Sequence, residues 1–441
     1  MPGIVLPRLG RSAAKPASYT GRMPAKQPAK SVANPSRKPV SARAARSATH
    51  APADAGAALG GLSPAQFMRE FFHRKPLLIR QAIPGFTAPV DAQRIAELAA
   101  RPDVESRLIT NFDGQWQLKR GPIKRLPPTS KPDWTVLVQG VNLHEDAAHA
   151  LMQRFSFIER LRMDDLMISL ASTGGGVGPH FDSYDVFLLQ GAGRRRWRIS
   201  SQKDLTLVDG LPLKILAKFK PTDEFVLEPG DMLYLPPSVA HEGVALDDGC
   251  LTYSIGFRTS THQDALAEFY EKFAESLDIP GRFSNLQTEP TRTPGRLPEQ
   301  LVADLAALVD QHRPTREDLV LWLGESLTEP KPTTPFTPQP GSLEKGLRLA
   351  RQTVASYSGR WFFMNGLSWE VSGGDAKLLR HLADTSALDA TQWRSASSAL
   401  QDQFNYWQEI GWIQPLPSAA SLAAPQVTVQ AASPSRARRT G

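Results

Sequence analysis

The sequence is short of cysteine: its 441 residues hold one, Cys250. That excludes a disulfide framework and a cysteine-rich zinc site, and it fits a reducing, cytoplasmic compartment. No stretch of about 18 or more apolar residues occurs, which excludes a transmembrane helix, and no secretory signal is visible. Acid is missing from both ends. Residues 1–53 hold ten Lys/Arg and residues 415–441 hold three, with no Asp or Glu in either. The net charge of +7 therefore conceals a mildly acidic body, −6 over residues 54–414. Basic tails touch nucleic acid at most non-specifically, whereas an acidic body suits a basic partner.

The length supports two or three domains. Residues 1–55, rich in Ala, Pro, Ser and Lys/Arg, lack apolar periodicity and read as a disordered tail. A transit peptide is the competing reading of an Arg-rich, acid-poor segment, although its prolines disfavour an amphipathic targeting helix. In SPAQFMREFFHRKPLLIR, Ser63 caps a helix with Phe67, Phe71 and Phe72 on its apolar face, and PLLIR reads as a strand. Next come a helix (DAQRIAELAA), strands RLITNF and TVLVQG, and a helical stretch from His144 to Met163. From Asp164 to about Arg258 the pattern is β, in LMISLAS, YDVFLLQG, RRWRIS, DEFVLEPGDMLYLPP and CLTYSIGFR, consistent with a sandwich or barrel. Residues 261–328 carry amphipathic helices that close a dimer or pack on the β region. A Pro-rich linker follows at 329–342, a small α+β unit at 343–414, and a polar tail at 415–441.

The stretch GPHFDSYDVFLLQGAGRRRWRIS concentrates the chemistry. Residues i and i+2 of a strand face one side, so His180 and Asp182 are expected to point together. In LEPGDMLYLPPSVAHEG, a PGD turn leads into a strand and a PPSVAH loop returns His241 to the same end. Two histidines and one carboxylate with open positions form the facial triad of non-haem Fe(II) oxygenases, although zinc or manganese would accept the same ligands. His73, His144, His149, His262, His312 and His381 lack such partners and read as surface or core residues. A 2-oxo acid chelating the metal leaves a distal carboxylate, which arginine neutralises bidentately. Alternation places Arg195 on one face and Arg194 and Arg196 on the other. Ser169, in LMISL, is a candidate hydroxyl partner for the same carboxylate.

The run DDLMISL…GGGVGPHFDSYDVFLLQGAGRRRWRIS, with LEPGDMLYLPPSVAHEG and YSIGFR, closely resembles the bacterial ribosomal oxygenases, which are JmjC-type 2-oxoglutarate-dependent arginine hydroxylases. The resemblance spans about residues 60–414 and is most specific over 160–258. It implies an α+β chain with a double-stranded β-helix (cupin/JmjC) barrel at 56–260, a helical dimerisation region at 261–328 and a C-terminal winged-helix-like domain at 343–414. It places the iron triad on His180, Asp182 and His241 and the 2-oxoglutarate anchor on Arg195. It further implies Fe(II), 2-oxoglutarate and O2 as cofactors, a homodimer, and as substrate one arginine of the sixteenth large-subunit ribosomal protein. Asp165, Tyr184 and Ser254 are the candidates for holding that arginine: a carboxylate for the guanidinium, a ring to stack on it and a hydroxyl to accept from it. The competing readings are a related JmjC histidine hydroxylase or demethylase, and a non-catalytic winged-helix protein that binds nucleic acid.

Overall fold

The computed structural model describes residues 59–128, 130–283, 290–332 and 334–416. The tail read over 1–55, and all but the first two residues of the tail read over 415–441, lie outside the described residues. The chain divides into two compact units, one ending at Thr328 and one running from Glu329. The stretches read separately as 56–260 and 261–328 therefore share one unit.

The first unit runs α1 (Pro64–Glu70), β1 (Leu77–Ile79), α2 (Ala92–Ala99), β2 (Ser106–Phe112), β3 (Gln115–Arg120), β4 (Trp134–Val138) and α3 (Asp146–Gln153). It continues β5 (Met163–Ala171), β6 (Asp185–Ala192), β7 (Arg195–Ser200), β8 (Asp223–Leu227), β9 (Met232–Leu235), β10 (Ala240–Ala245) and β11 (Cys250–Phe257). Three helices end it: α4 (His262–Ser276), α5 (Glu299–Gln311) and α6 (Arg316–Thr328). The strands form an eight-stranded sheet, β1-β9-β6-β11-β5-β4-β2-β3, and a three-stranded sheet, β10-β7-β8.

The central strands are buried on both faces, which is why YDVFLLQG is apolar throughout instead of alternating. On β6, Phe187 and Leu189 enter the larger core with Phe67 of α1, Phe155, Tyr234 and Tyr253. Val186 and Leu188 face the other way and pack with Trp197, Ile199 and Leu227. Ser63 caps α1 by accepting from the Gln66 N–H at 3.2 Å. Phe67, fully buried, meets Tyr234 edge-on at 4.8 Å between ring centroids. Burying such a ring stabilises by about 2–3 kcal/mol.

Four local differences from the sequence pattern have physical causes. The helix expected over 144–163 stops at Gln153. The backbone then tightens into three-residue bonds (Arg154 N–H to Leu151, Phe155 N–H to Met152, Ile158 N–H to Phe155), and Phe155 and Phe157 enter the aromatic cluster. DEFVLEPGDMLYLPP is two strands in different sheets. Gly230 turns the chain at φ 92°, and the Asp231 carboxylate accepts from the N–H groups of Gln81 and Glu228 at 3.0 and 3.1 Å. His73, outside the metal group, has a structural partner that no spacing shows: its Nδ1 lies 2.8 Å from Oδ2 of the fully buried Asp185, whose other oxygen accepts from the Tyr234 hydroxyl. The fourth concerns β3 and β10, which were not read as strands. QWQLKR is mostly exposed on an edge strand, so its apolar content is low; AHEGVA is short and interrupted by Gly243.

The second unit contains β12 (Gly346–Leu349), β13 (Ala355–Ser358), β14 (Trp361–Met364), β15 (Leu367–Glu370), α7 (Gly373–Thr385), β16 (Ala387–Asp389), α8 (Ala390–Ser395), α9 (Ser398–Glu409) and β17 (Ile413–Pro415). Its sheets are β16-β12-β17 and β13-β14-β15. Phe362, Trp369, Phe404 and Trp407 form its aromatic centre. Pro415 pairs with Leu347, so the last strand runs one residue past the boundary read at 414.

Candidate metal centre and its pocket

Among the described residues, one group of three or more His, Cys, Asp or Glu can hold a metal ion: His180, Asp182 and His241, each offering a ligand atom within 4.8 Å of the others. The expected route to this convergence is not the observed one. His180 and Asp182 precede β6, which starts at Asp185, so they do not share a strand face. Instead His180 and His241 form an isolated antiparallel bridge, with N–H to carbonyl distances of 2.9 and 2.7 Å. The Ser238 N–H also donates to the Asp182 carbonyl at 2.8 Å. The Pro-Pro-Ser turn, with Ser238 at φ 65°, thus clamps the HFD segment to the start of β10.

Both imidazoles are oriented from behind. Nδ1 of His180 lies 2.9 Å from the Gly178 carbonyl, and Nδ1 of His241 lies 2.9 Å from the Val239 carbonyl. A carbonyl only accepts, so each Nδ1 carries the proton and each Nε2 presents a lone pair. The rings stand 4.2 Å apart between centroids, and His241 Nε2 is 3.6 Å from Asp182 Oδ2. Burial, with the neighbouring His180 imidazole adding to it, lowers the His241 pKa to about 4. The ring is therefore neutral near pH 7, the form that ligates metal.

These groups line a cavity of about 440 Å³ between the two sheets. The floor comes from registered rows of the large sheet. Arg120, Arg107, Leu137, Ser169 and Thr252 lie in line across β3, β2, β4, β5 and β11, and Leu188, Ser254 and Met167 form a second row. The opposite wall is Arg195, Trp197, His241 and Gly243 of β7 and β10. Arg195 is 3% exposed, so its face of the strand is the inward one. Arg194 turns outward to Asp247 at 2.9 Å, and Arg196 is half-buried away from the cavity lining.

The Arg195 guanidinium reaches the Gly243 carbonyl through Nη1 at 3.3 Å, while Nε and Nη2 are buried without a hydrogen-bond partner. A buried charge in that state needs an acceptor. Thr135 Oγ1 and Trp197 Nε1, in the same cavity lining, are also buried and unpartnered. Two imidazole nitrogens and one carboxylate suit Fe(II) and similar divalent ions, and the free face of Arg195 suits the carboxylate of a chelating diacid. The residues present fit a metal and a dicarboxylate together.

Of the remaining candidates, Ser169, Tyr184 and Ser254 line the cavity. Asp165 stands outside the lining: its Oδ2 accepts from the Gly140 N–H at 3.0 Å. Gly256 separates its Oδ1 from the Tyr184 ring, since a Cβ there would meet them at 3.8 and 3.6 Å. Tyr184 is 38% exposed, and partial burial, followed by the Asp182 and Asp165 carboxylates, pushes its phenol pKa up. Sequence reasoning missed Arg107, Thr135, Trp197, Thr252 and Lys214. Only registration across the large sheet places Arg107, Thr135 and Thr252; Trp197 lies two residues from Arg195 on the same strand face, a signal alternation offered, and Lys214 comes from an irregular segment with no period.

Residues 150–265 match the JmjC domain family. The chain is 32% identical over 283 residues to the ribosomal protein uL16 3-hydroxylase of Escherichia coli, covering 62% of this chain and 75% of that protein. It is 38% identical over 203 residues to a probable ribosomal oxygenase of Haemophilus influenzae, covering 45% and 50%. The X-ray structure of E. coli YcfD superposes with a TM-score of 0.72 at 28% identity, covering 80% of this chain and 98% of that one. YcfD in complex with cobalt and 2-oxoglutarate superposes at 0.68, with 28% identity and the same coverages.

Proposed function

The chain belongs to the JmjC-domain bacterial ribosomal oxygenases, and from that premise we propose that it hydroxylates an arginine side chain of the large-subunit ribosomal protein uL16. Its α+β fold is of the JmjC/cupin type, and it is an Fe(II)- and 2-oxoglutarate-dependent dioxygenase. We read the two facing sheets as its double-stranded β-helix. The observation that carries the assignment is the convergence of His180, Asp182 and His241 in one cavity with the Arg195 guanidinium, whose Nε and Nη2 have no hydrogen-bond partner. Fe(II) and 2-oxoglutarate, held by these residues, would supply the chemistry of O2 activation, in which one oxygen atom enters a substrate C–H bond and the other enters the succinate formed with loss of CO2.

The chain's own residues orient and neutralise. His180, Asp182 and His241 hold the metal with both histidines locked in one tautomer. Arg195 takes the far carboxylate of 2-oxoglutarate, with Ser169 and the unpartnered Thr135 hydroxyl as neutral donors. On the substrate side, the Asp165 carboxylate faces the guanidinium, the Tyr184 ring stacks on it and the Ser254 hydroxyl accepts from it. Positioning the reacting carbon beside the metal is the protein's share of the catalysis. Leu266, Tyr270, Val302, Leu305, Leu319 and Leu323 on α4 to α6 are exposed and support the reading of this region as a homodimer interface in a cytoplasmic protein.

The test incubates the Fe(II) protein with 2-oxoglutarate and uL16. Succinate release stimulated by uL16, a gain of one oxygen atom on an arginine-containing peptide, and loss of both in His180→Ala are expected. Turnover that survives His180→Ala refutes the triad. A second reading comes from the likeness, 36% over 93 residues, to a bifunctional lysine-specific demethylase and histidyl-hydroxylase of Dictyostelium discoideum. Oxygen on a histidine peptide, or loss of a methyl group, would favour it.

A further inference from the structure

The cavity is basic in a place where a basic substrate cannot use it. The floor row Arg120–Arg107–Leu137–Ser169–Thr252 has two arginines at its outer end, directly opposite each other on antiparallel strands. Like charges in that position destabilise a sheet unless an anion neutralises them. Arg107 has one acid near it, the exposed Glu105, in a long ion pair of 4.0 Å to Nε, and that Nε is buried without a hydrogen-bond partner. Lys214, exposed and in the segment between β7 and β8, lines the same cavity. Among the described lining residues the single acid is the metal ligand Asp182.

The four cations differ in depth. Arg120 and Lys214 are exposed, Arg107 is half-buried and Arg195 is buried. A guanidinium entering along this row would meet repulsion at each step, whereas the side lined by Tyr184 and Ser254 carries no cation. A small dianion entering along the row would be drawn inward.

We propose that Arg107, Arg120 and Lys214 form an outer anion site for a dicarboxylate, guiding 2-oxoglutarate to Arg195. This rests on the function proposed above. The site separates cosubstrate traffic from the substrate arginine by charge.

The experiment is stopped-flow binding of 2-oxoglutarate to the anaerobic Fe(II) protein without uL16, followed by the charge-transfer absorbance of the chelate. Wild type is compared with Arg107→Gln/Arg120→Gln and with Arg107→Lys/Arg120→Lys. The glutamine pair should associate about tenfold more slowly at low salt. The difference should vanish at about 1 M salt, where screening shortens to roughly 3 Å. The lysine pair should stay near wild type. An unchanged rate and salt dependence in a glutamine pair that melts like wild type overturns the proposal. So does a defect confined to KM for uL16, which would assign the arginines to an acidic group of the substrate. No binding by wild type itself would instead remove the function on which the proposal rests.

Discussion

Replacing Arg195 by methionine separates ligand recognition from folding, because this guanidinium has little to do until an acid arrives. Its one hydrogen bond is to the Gly243 carbonyl at 3.3 Å, and Nε and Nη2 have no hydrogen-bond partner. Two charge-assisted bonds to a carboxylate contribute about 1.5–3 kcal/mol each. Allowing for imperfect geometry, Arg195→Met should weaken 2-oxoglutarate binding by about 3–4 kcal/mol, or roughly 200- to 1,000-fold. Removing a buried, uncompensated charge should leave the ligand-free protein as stable as before or more so. Thermal unfolding of the anaerobic Fe(II) protein reads both effects. At 2-oxoglutarate one hundred times the wild-type Kd, wild type gains about 2.7 kcal/mol, and the variant should gain under about 0.5 kcal/mol. Binding within a few-fold of wild type would refute the anchoring role. A large loss of stability without ligand would show that Arg195 is a structural residue.

Gly243→Ala should destabilise by about 1–3 kcal/mol, because the new methyl would lie 2.7 Å from Cη2 and Cζ3 of the buried Trp197; a chemical-denaturation midpoint equal to wild type's would contradict that packing. In the metal-free protein, His241 resists protonation down to about pH 4 because it is buried, whereas the unfolded chain takes its proton near 6.5. Its contribution is therefore complete above pH 6.5 and is lost as the pH falls towards 4, with about 2 kcal/mol gone by pH 5. Urea unfolding in EDTA at pH 7 and pH 5 should show this loss in wild type and not in His241→Asn. Asp165→Asn and Tyr184→Ala should each raise KM for uL16 about tenfold while leaving 2-oxoglutarate affinity unchanged; a change in 2-oxoglutarate affinity alone would place both residues on the wrong side of the cavity.

Local chemistry made much of this protein readable in one dimension. The HFD segment, the histidine behind the PPSVAH loop and the alternation that sets Arg195 and Arg194 on opposite faces all depend on covalent spacing and strand geometry. Even there the route differed. Ser238 at positive φ and the His180–His241 bridge bring the ligands together, without a shared strand face. The helix expected over 144–163 shows the limit of periodicity: Phe155 and Phe157 fit a helical pattern but are claimed by a distant aromatic cluster. His73 lies outside the metal group, and its ion-pair partner Asp185 is 112 positions away, beyond the reach of any spacing argument.

The sequence by itself pointed to the metal ligands, set Arg195 and Arg194 on opposite strand faces, and determined the β character of residues 164–258 and the basic, acid-free ends. Each of these rests on residue type, motif and strand alternation. Tertiary structure alone decided which strands lie side by side, and so which groups share the cavity. Arg107, Thr135, Ser169 and Thr252 meet only because β2, β4, β5 and β11 register across one sheet. Hydrogen bonding between strands is blind to sequence distance, and the pairing that aligns these rows is set by burial on both faces at once.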